Sequence, residues 1–258
     1  MSDEIELTDY LSRGGKLSSP ANVPPRYRGE LMRLMATFVD SEMAGAAGFA
    51  GIINDGPGIK ERIAASRIVF EKLANADRVL RIMGEFGADT ARYAGHHPWS
   101  ARLPRDSDIG ASRRQGDMRL SVFHYPIEGW TDAVVMNVLM GRATVIQLDE
   151  FAGGSYQPLA EAFRAILPTE IRHAELGLEG LRMLALDPEE RARARASAAY
   201  WHPRVAASFG SAASPRFDTL KRFGLRRTPN ETLAENWRTE VAELFDELGI
   251  GPAEGVPE

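Results

Sequence analysis

There is no cysteine among the 258 residues. This excludes disulfides, thiolate metal sites and a cysteine nucleophile, and leaves the redox compartment unreadable from this residue. Basic residues are not in excess either: 31 Lys and Arg stand against 36 Asp and Glu, a net charge of -5. General nucleic-acid binding needs a basic face, so no nucleic-acid partner is expected. The longest apolar run, Ala44 to Ile53, is half a membrane span, so no membrane partner is expected. The start, MSDEIELTDYLSRGG, is acidic where a signal peptide is basic and then apolar, and a cytoplasmic protein is the expectation. Glycine-rich nucleotide loops, a Gly-x-Ser-x-Gly elbow and any strand pattern are missing, which argues against nucleotide folds and serine hydrolases.

What is present is helical periodicity, and it predicts an all-α chain forming one domain over residues 1–258. Residues 1–22 read as a polar, irregular arm. A first helix runs from about Tyr27 to Ile53 with Leu31, Leu34, Met35, Phe38 and Met43 at helical spacing. Its run Ala44-Gly45-Ala46-Ala47-Gly48 would let a neighbouring helix approach. The turn Asn54-Asp55-Gly56-Pro57-Gly58 leads to a second helix, Ile59 to Phe86, expected to bury Ile63, Ile68, Val69, Leu73, Val79, Leu80 and Ile82. Residues 88–128 form a connection too long for a simple bundle, rich in arginine (Arg102, Arg105, Arg113, Arg114, Arg119), and it reads either as a functional or docked loop or as a solvated surface loop. A third helix spans Trp130 to Gln147 and a fourth Ser155 to Leu186, with Pro168 inside it at a point where proline tends to kink a helix. Asp187-Pro188-Glu189-Glu190 is a helix start. A last helix after Asn230 carries Leu233, Trp237, Val241 and Leu244 and opens the C-terminal stretch 230–258.

One spacing points to chemistry. In Glu170-Ile171-Arg172-His173 the carboxylate and imidazole lie three residues apart on one helix face and can meet a common ion. A dinuclear site in a four-helix bundle needs this pair twice, plus one carboxylate from each remaining helix. The second pair is absent: none of His96, His97, His124 and His202 has Glu three residues before it. Glu42 reads either as a surface acid or as a site acid, and Asp132 either as a site acid or as a helix-dipole acid in the first turn. His96-His97 reads as a polar loop pair, and Trp201-His202-Pro203 as an aromatic packing element.

The order of several strings resembles the catalytic, alpha-type subunits of bacterial phenylacetyl-CoA epoxidases, in the ferritin-like superfamily. The strings are Val23-Pro24-Pro25-Arg26-Tyr27-Arg28, Ser41-Glu42, Tyr125-Pro126 with Trp130-Thr131-Asp132, and Ser155-Tyr156 with Pro158. Glu170-x-x-His173, Trp201-His202-Pro203 with Phe209-Gly210, and Phe223-Gly224-Leu225-Arg226-Arg227 continue the series in the same order. The resemblance implies a ferritin-like four-helix bundle with extra helices and a long inter-helix loop. It also implies a carboxylate-bridged di-iron oxygenase centre, an acyl-CoA substrate and a related helical subunit as partner, in a homo-oligomer or heteromer. The metal ligands it implies fall on Glu42, Asp132, Glu170 and His173, whereas the family's Glu and His on the second helix fall on Lys72 and Asn75. Glu71 is adjacent but rotated by about 100° around the helix. Three acids less one ammonium leave a charge of about minus two, which suits one iron ion or none rather than a di-iron pair. Should the centre keep chemistry, Asp132 and Lys72 are its catalytic groups and the loop arginines, Arg113 and Arg114 among them, hold the CoA phosphates. The alternative is a non-catalytic, metal-free scaffold in which Lys72 neutralises buried carboxylates.

Overall fold

The computed structural model describes residues 2–112 and 116–251. Its helices are α1 (Ser2–Ser12), α2 (Pro25–Ile52), α3 (Ile59–Glu85), α4 (Thr90–Tyr93), α5 (Gly129–Ala152), α6 (Gln157–Leu184), α7 (Pro188–Ala206), α8 (Phe217–Arg222) and α9 (Asn230–Glu247). Two antiparallel hairpins, α2 with α3 and α5 with α6, form a four-helix bundle in which α3 also meets α6 and α2 meets α5. Helices α7 and α9 pack on the outer side of α5. This is the all-α, ferritin-like bundle expected from periodicity and resemblance.

Local sequence explains where the helices begin and how closely they pack. Proline stands at the start of α2 and α7, where its missing N–H has no helical partner to lose, and Asp187 caps α7 by accepting from the Glu189 and Glu190 amides. Helix α6 continues through Pro168. The tightest contact is between α5 and α6: a Cβ added at Gly141 would lie 3.1 Å from the Ala174 Cβ, and one at Gly177 would lie 3.3 Å from the Val138 amide nitrogen. Those two glycines therefore fix the register of α5 on α6.

Several expectations need correction. Residues 1–22 are not an irregular arm: Ser2–Ser12 is helical, and Leu11 and Leu17 are buried. The stretch after α1 is tied to the bundle by the Leu17 amide on the Ser155 carbonyl and the Gln157 amide on the Leu17 carbonyl, each 2.8 Å. On α3 the core face is Ala65, Ile68, Lys72, Asn75, Ala76, Val79 and Ile82, while Ile63 and Leu73 point outward. The small-residue run of α2 admits the 88–128 connection as well as α3. Phe123 lies over Gly45, and Arg102 lies over Gly48 and donates 2.9 Å to the Ala44 carbonyl.

The connection is docked rather than solvated. Asp40 on α2 accepts from the Tyr93 hydroxyl (2.7 Å) and the Met118 amide (2.8 Å), and the Ser41 hydroxyl accepts from the Leu120 amide (3.0 Å). Buried Arg119 pairs with Asp117 at 2.8 Å and lies over the Trp99 ring. Among the described residues, no helix is long and apolar enough to cross a membrane.

Candidate functional site

Halfway along the bundle, α2, α3 and α6 each send polar side chains inward, and five of them meet in its buried centre. Relative exposures are 3% for Glu42, 7% for Lys72, 6% for Asn75, 1% for Glu170 and 0% for His173. Lys72 and Asn75 share one face of α3 because they are three apart, as do Glu170 and His173 on α6. The Lys72 ammonium donates to Glu42 Oε1 at 3.0 Å and to Glu170 Oε2 at 3.2 Å. Asn75 Nδ2 donates to Glu170 Oε1 at 2.9 Å and reaches Glu42 Oε2 at 3.4 Å. Both carboxylates are thus clamped by the same two side chains of α3.

His173 completes the cluster. Its Nδ1 lies 3.3 Å from Glu170 Oε1 without hydrogen-bond alignment, and its Nε2 is 2.7 Å from Glu71 Oε2. Glu71, rotated away from the carboxylate pair as its position predicts, reaches the far side of the imidazole instead. The His173 carbonyl accepts from Asn137 Nδ2 of α5 at 2.9 Å.

The electrostatics follow from burial and proximity. Burial alone would lower the Lys72 ammonium, but the Glu170 and Glu42 carboxylates outweigh it and raise Lys72 above its ordinary value. Burial and then the Glu170 charge raise Glu42 to about 7, against the pull of Lys72. Glu170 is also pushed up by burial, but Lys72 and His173 together hold it well below the usual carboxylate range. Burial and mutual repulsion thus set the two acids apart, Glu42 held up and Glu170 held down, with the Lys72 ammonium stabilised by both.

Asp132 is not part of this cluster. The glycine contacts set Gly141 beside Ala174 and Asn137 beside Gly177. At 1.5 Å per residue this register leaves Asp132 roughly 15–20 Å along the helix axis from Glu170 and His173. There Asp132 accepts from Arg105 through two bonds of 2.9 Å, from Ser197 at 2.6 Å, from Trp201 Nε1 at 2.9 Å and from the Glu128 amide at 2.9 Å. Burial pushes its carboxyl up, and the Arg105, Ser197, Glu128 and Trp201 donors overcome that and hold it low. The metal-ligand and catalytic assignments of Asp132 are corrected on this geometry: it anchors the 88–128 connection and α7 to the start of α5. Trp201 is likewise more than a packing element, since its indole N–H ends on that carboxylate.

Of the loop arginines, Arg102, Arg105 and Arg119 are turned inward on Ala44, Asp132 and Asp117. Arg113 and Arg114 lie outside the described residues. Sequence reasoning did not single out a cavity of about 280 Å³ between α2, α5 and the 208–230 segment, lined in part by Glu42, Ser208 and Arg226. These residues come from three distant parts of the chain, so no spacing announces them.

The donor set does not fit a di-iron centre. Where such a centre needs a second carboxylate and a second imidazole, α3 offers an ammonium and an amide, both of which donate, and a cation cannot be held by donors. Among the described residues, no group of three or more acidic or imidazole side chains is arranged to hold a metal ion. Fold and site together define a ferritin-like helical bundle whose central acids close on a lysine. The chain belongs to the family described as phenylacetic acid catabolic protein, whose model matches residues 14–256, and it is a component of phenylacetate catabolism. No curated protein matches it.

Proposed function

We propose that this protein is a metal-free, non-catalytic subunit of the cytoplasmic phenylacetate-degrading machinery, in which Lys72 stands where a catalytic relative would hold iron. The observation that carries this reading is the Lys72 ammonium, hydrogen-bonded to both Glu42 and Glu170 in a buried bundle centre. Two carboxylates without a cation would pay a large desolvation penalty, whereas an ammonium with matched donors offsets it without redox chemistry. An oxygenase role on an acyl-CoA, with iron on Glu42, Asp132, Glu170 and His173, would need Asp132 to leave its five donors and cross several turns of helix.

The exterior favours a pairing role. Of the exposed large apolar side chains, Ile59, Ile63, Phe70 and Leu73 lie on α3, and Ile171, Met183 and Leu186 lie on or just after α6, two adjacent helices. A concentration of exposed apolar residues on one face marks an interaction surface more often than a solvated one. A related helical subunit would cover this face, and the Glu71–His173 pair lies between the two helices beneath it.

Installing the missing ligands tests the reading. Lys72→Glu with Asn75→His would supply three carboxylates and two imidazoles at one level of the bundle, and the double variant should take up at least about one equivalent of ferrous or cobaltous ion. A correctly folded double variant that stays metal-free would show that Lys72 and Asn75 do not stand at ligand positions.

A further inference from the structure

An open groove of about 400 Å³ lies between the first turns of α3 and the last turns of α6. Its walls are Ala64 and Ile68 of α3 and Gly177 and Gly180 of α6, and Val134 and Asn137 of α5 close its floor. The groove persists because several of these side chains are too short to fill it, and one of them is short without a packing reason. At Gly177 a Cβ would run into the Val138 amide nitrogen of α5 at 3.3 Å, whereas at Gly180 it would meet only the Val134 side chain at 3.4 and 3.5 Å, ordinary van der Waals distances. Glycine inside a helix is less stable than alanine. Gly180 therefore lowers stability and leaves space in the groove.

A polar atom opens on that space. Asn137 is 6% exposed, and its Nδ2 donates to the His173 carbonyl at 2.9 Å. A Cβ at Gly177 would lie 2.7 Å from this Nδ2, which sets the amide beside the α6 wall of the groove. Asn137 Oδ1 accepts from no group among the described residues, and it is not sealed from solvent as the Tyr156 hydroxyl is. An acceptor at this depth is costly without a donor.

Charge at the mouth narrows the class of ligand. Glu179 and Glu190 are paired with Arg172 and Arg193, which leaves Glu61 and Asp187 beside Lys60 as the lining charges with no ion pair among the described residues. An anion is disfavoured by that balance, and a cation at Asn137 would meet an amide oxygen but no carboxylate, so neither charge is compensated on burial. A neutral group that donates one hydrogen bond is compensated. An apolar cavity of about 150 Å³ already holds a benzene ring, so this groove, with Phe49 and Trp130 also in its lining, has room for two.

We propose that this groove is a binding site for a neutral alcohol or phenol of one or two rings, its hydroxyl donating to Asn137 Oδ1 and its rings lying against Ile68 and Val134 in the space left by Gly180. None of Glu42, Lys72 and Glu170 takes part, so the site does not depend on the metal-free reading. The groove opens between α3 and α6, and a subunit covering those helices would enclose the ligand.

The test is calorimetric titration of the full chain at pH 7 with 2-naphthol, a phenol that stays neutral there. Beside it stand 2-methoxynaphthalene, which has no donor, and 2-naphthoate, an anion. 2-Naphthol is expected to bind at least about tenfold more tightly than the ether, which leaves the buried acceptor unpaired, and more tightly than the naphthoate. Gly180→Leu fills the groove and should abolish 2-naphthol binding, while Gly180→Ala should raise the Tm of the ligand-free protein, since alanine favours the helix. Asn137→Leu should bring 2-naphthol and the ether to equal affinity; the Gly180 variants keep the test decisive where that protein does not fold. The proposal is overturned by no saturable 2-naphthol binding up to ~1 mM, or by the ether or the naphthoate binding as tightly as 2-naphthol. It is equally overturned by a Gly180→Leu protein of native circular dichroism that binds as the wild type does, or by a Gly180→Ala protein that melts lower, which would make the glycine a packing requirement.

Discussion

Lys72→Met is expected to destabilise the protein by ~3–5 kcal/mol at pH 8, the cost of leaving buried charge without its partner. The loss should shrink on acidification. In the variant, Glu42 and Glu170 lose their cation, so both hold protons to a higher pH when folded than when unfolded. An acid with a raised folded pKa favours the native state at low pH, and that contribution disappears as pH rises from the unfolded value through the folded one. In the wild type only Glu42 behaves this way, between its unfolded value and about 7. Glu170 does the opposite: its folded value is lowered, so its contribution is present above the unfolded pKa and lost as pH falls. Urea unfolding of both proteins from pH 5 to pH 8 should therefore give two curves that diverge toward high pH. A difference that stays constant over that range would mean that Lys72 is held by packing alone.

Asp132→Asn should cost ~3 kcal/mol or more, because each buried donor left without an acceptor loses about 1–3 kcal/mol. The shape is conserved, but both Asp132 oxygens accept, Oδ1 from Arg105, Ser197 and Trp201 and Oδ2 from Arg105 and Glu128. Whichever way an amide turns, its NH2 faces donors, and of these only the Ser197 hydroxyl can reverse its role. The effect should be regional, since Arg105 ties the connection to α5 and lies over the Tyr200 ring at 3.7 Å. Limited proteolysis should cut the variant between residues 103 and 120 at protease levels the wild type resists. A loss below about 1 kcal/mol with unchanged cleavage would identify Asp132 as an ordinary helix-start acid.

The main helices were legible because apolar residues recur at helical spacing, and the observed bounds of α2, α3 and α6 differ from the expected ones by a few residues at most. Helix α1 was missed because its sequence is polar, with Leu11 buried but Tyr10 exposed and no long apolar stripe. The inward face of α3 was partly misread for a telling reason. Its stripe contains Lys72 and Asn75, so the outer face with Ile63, Phe70 and Leu73 looks at least as apolar. The Glu170–His173 spacing put both side chains on one face of α6, and the structure has Glu170 meeting Lys72 and Asn75 of α3 there. The position of Asp132 was not visible, since its level along the bundle depends on how Gly141 and Gly177 set α5 against α6. The clamp geometry, in which one ammonium meets two carboxylates, arises only from packing.

Metal stoichiometry after anaerobic loading with ferrous iron addresses the central claim most directly. The untagged wild-type chain, desalted after loading, is expected to retain far less than one iron per chain, because Lys72 and Asn75 present donors where an iron pair needs acceptors. Retention of about two irons per chain, with the fold unchanged, would contradict the account and restore an oxygenase centre at Glu42, Glu170 and His173.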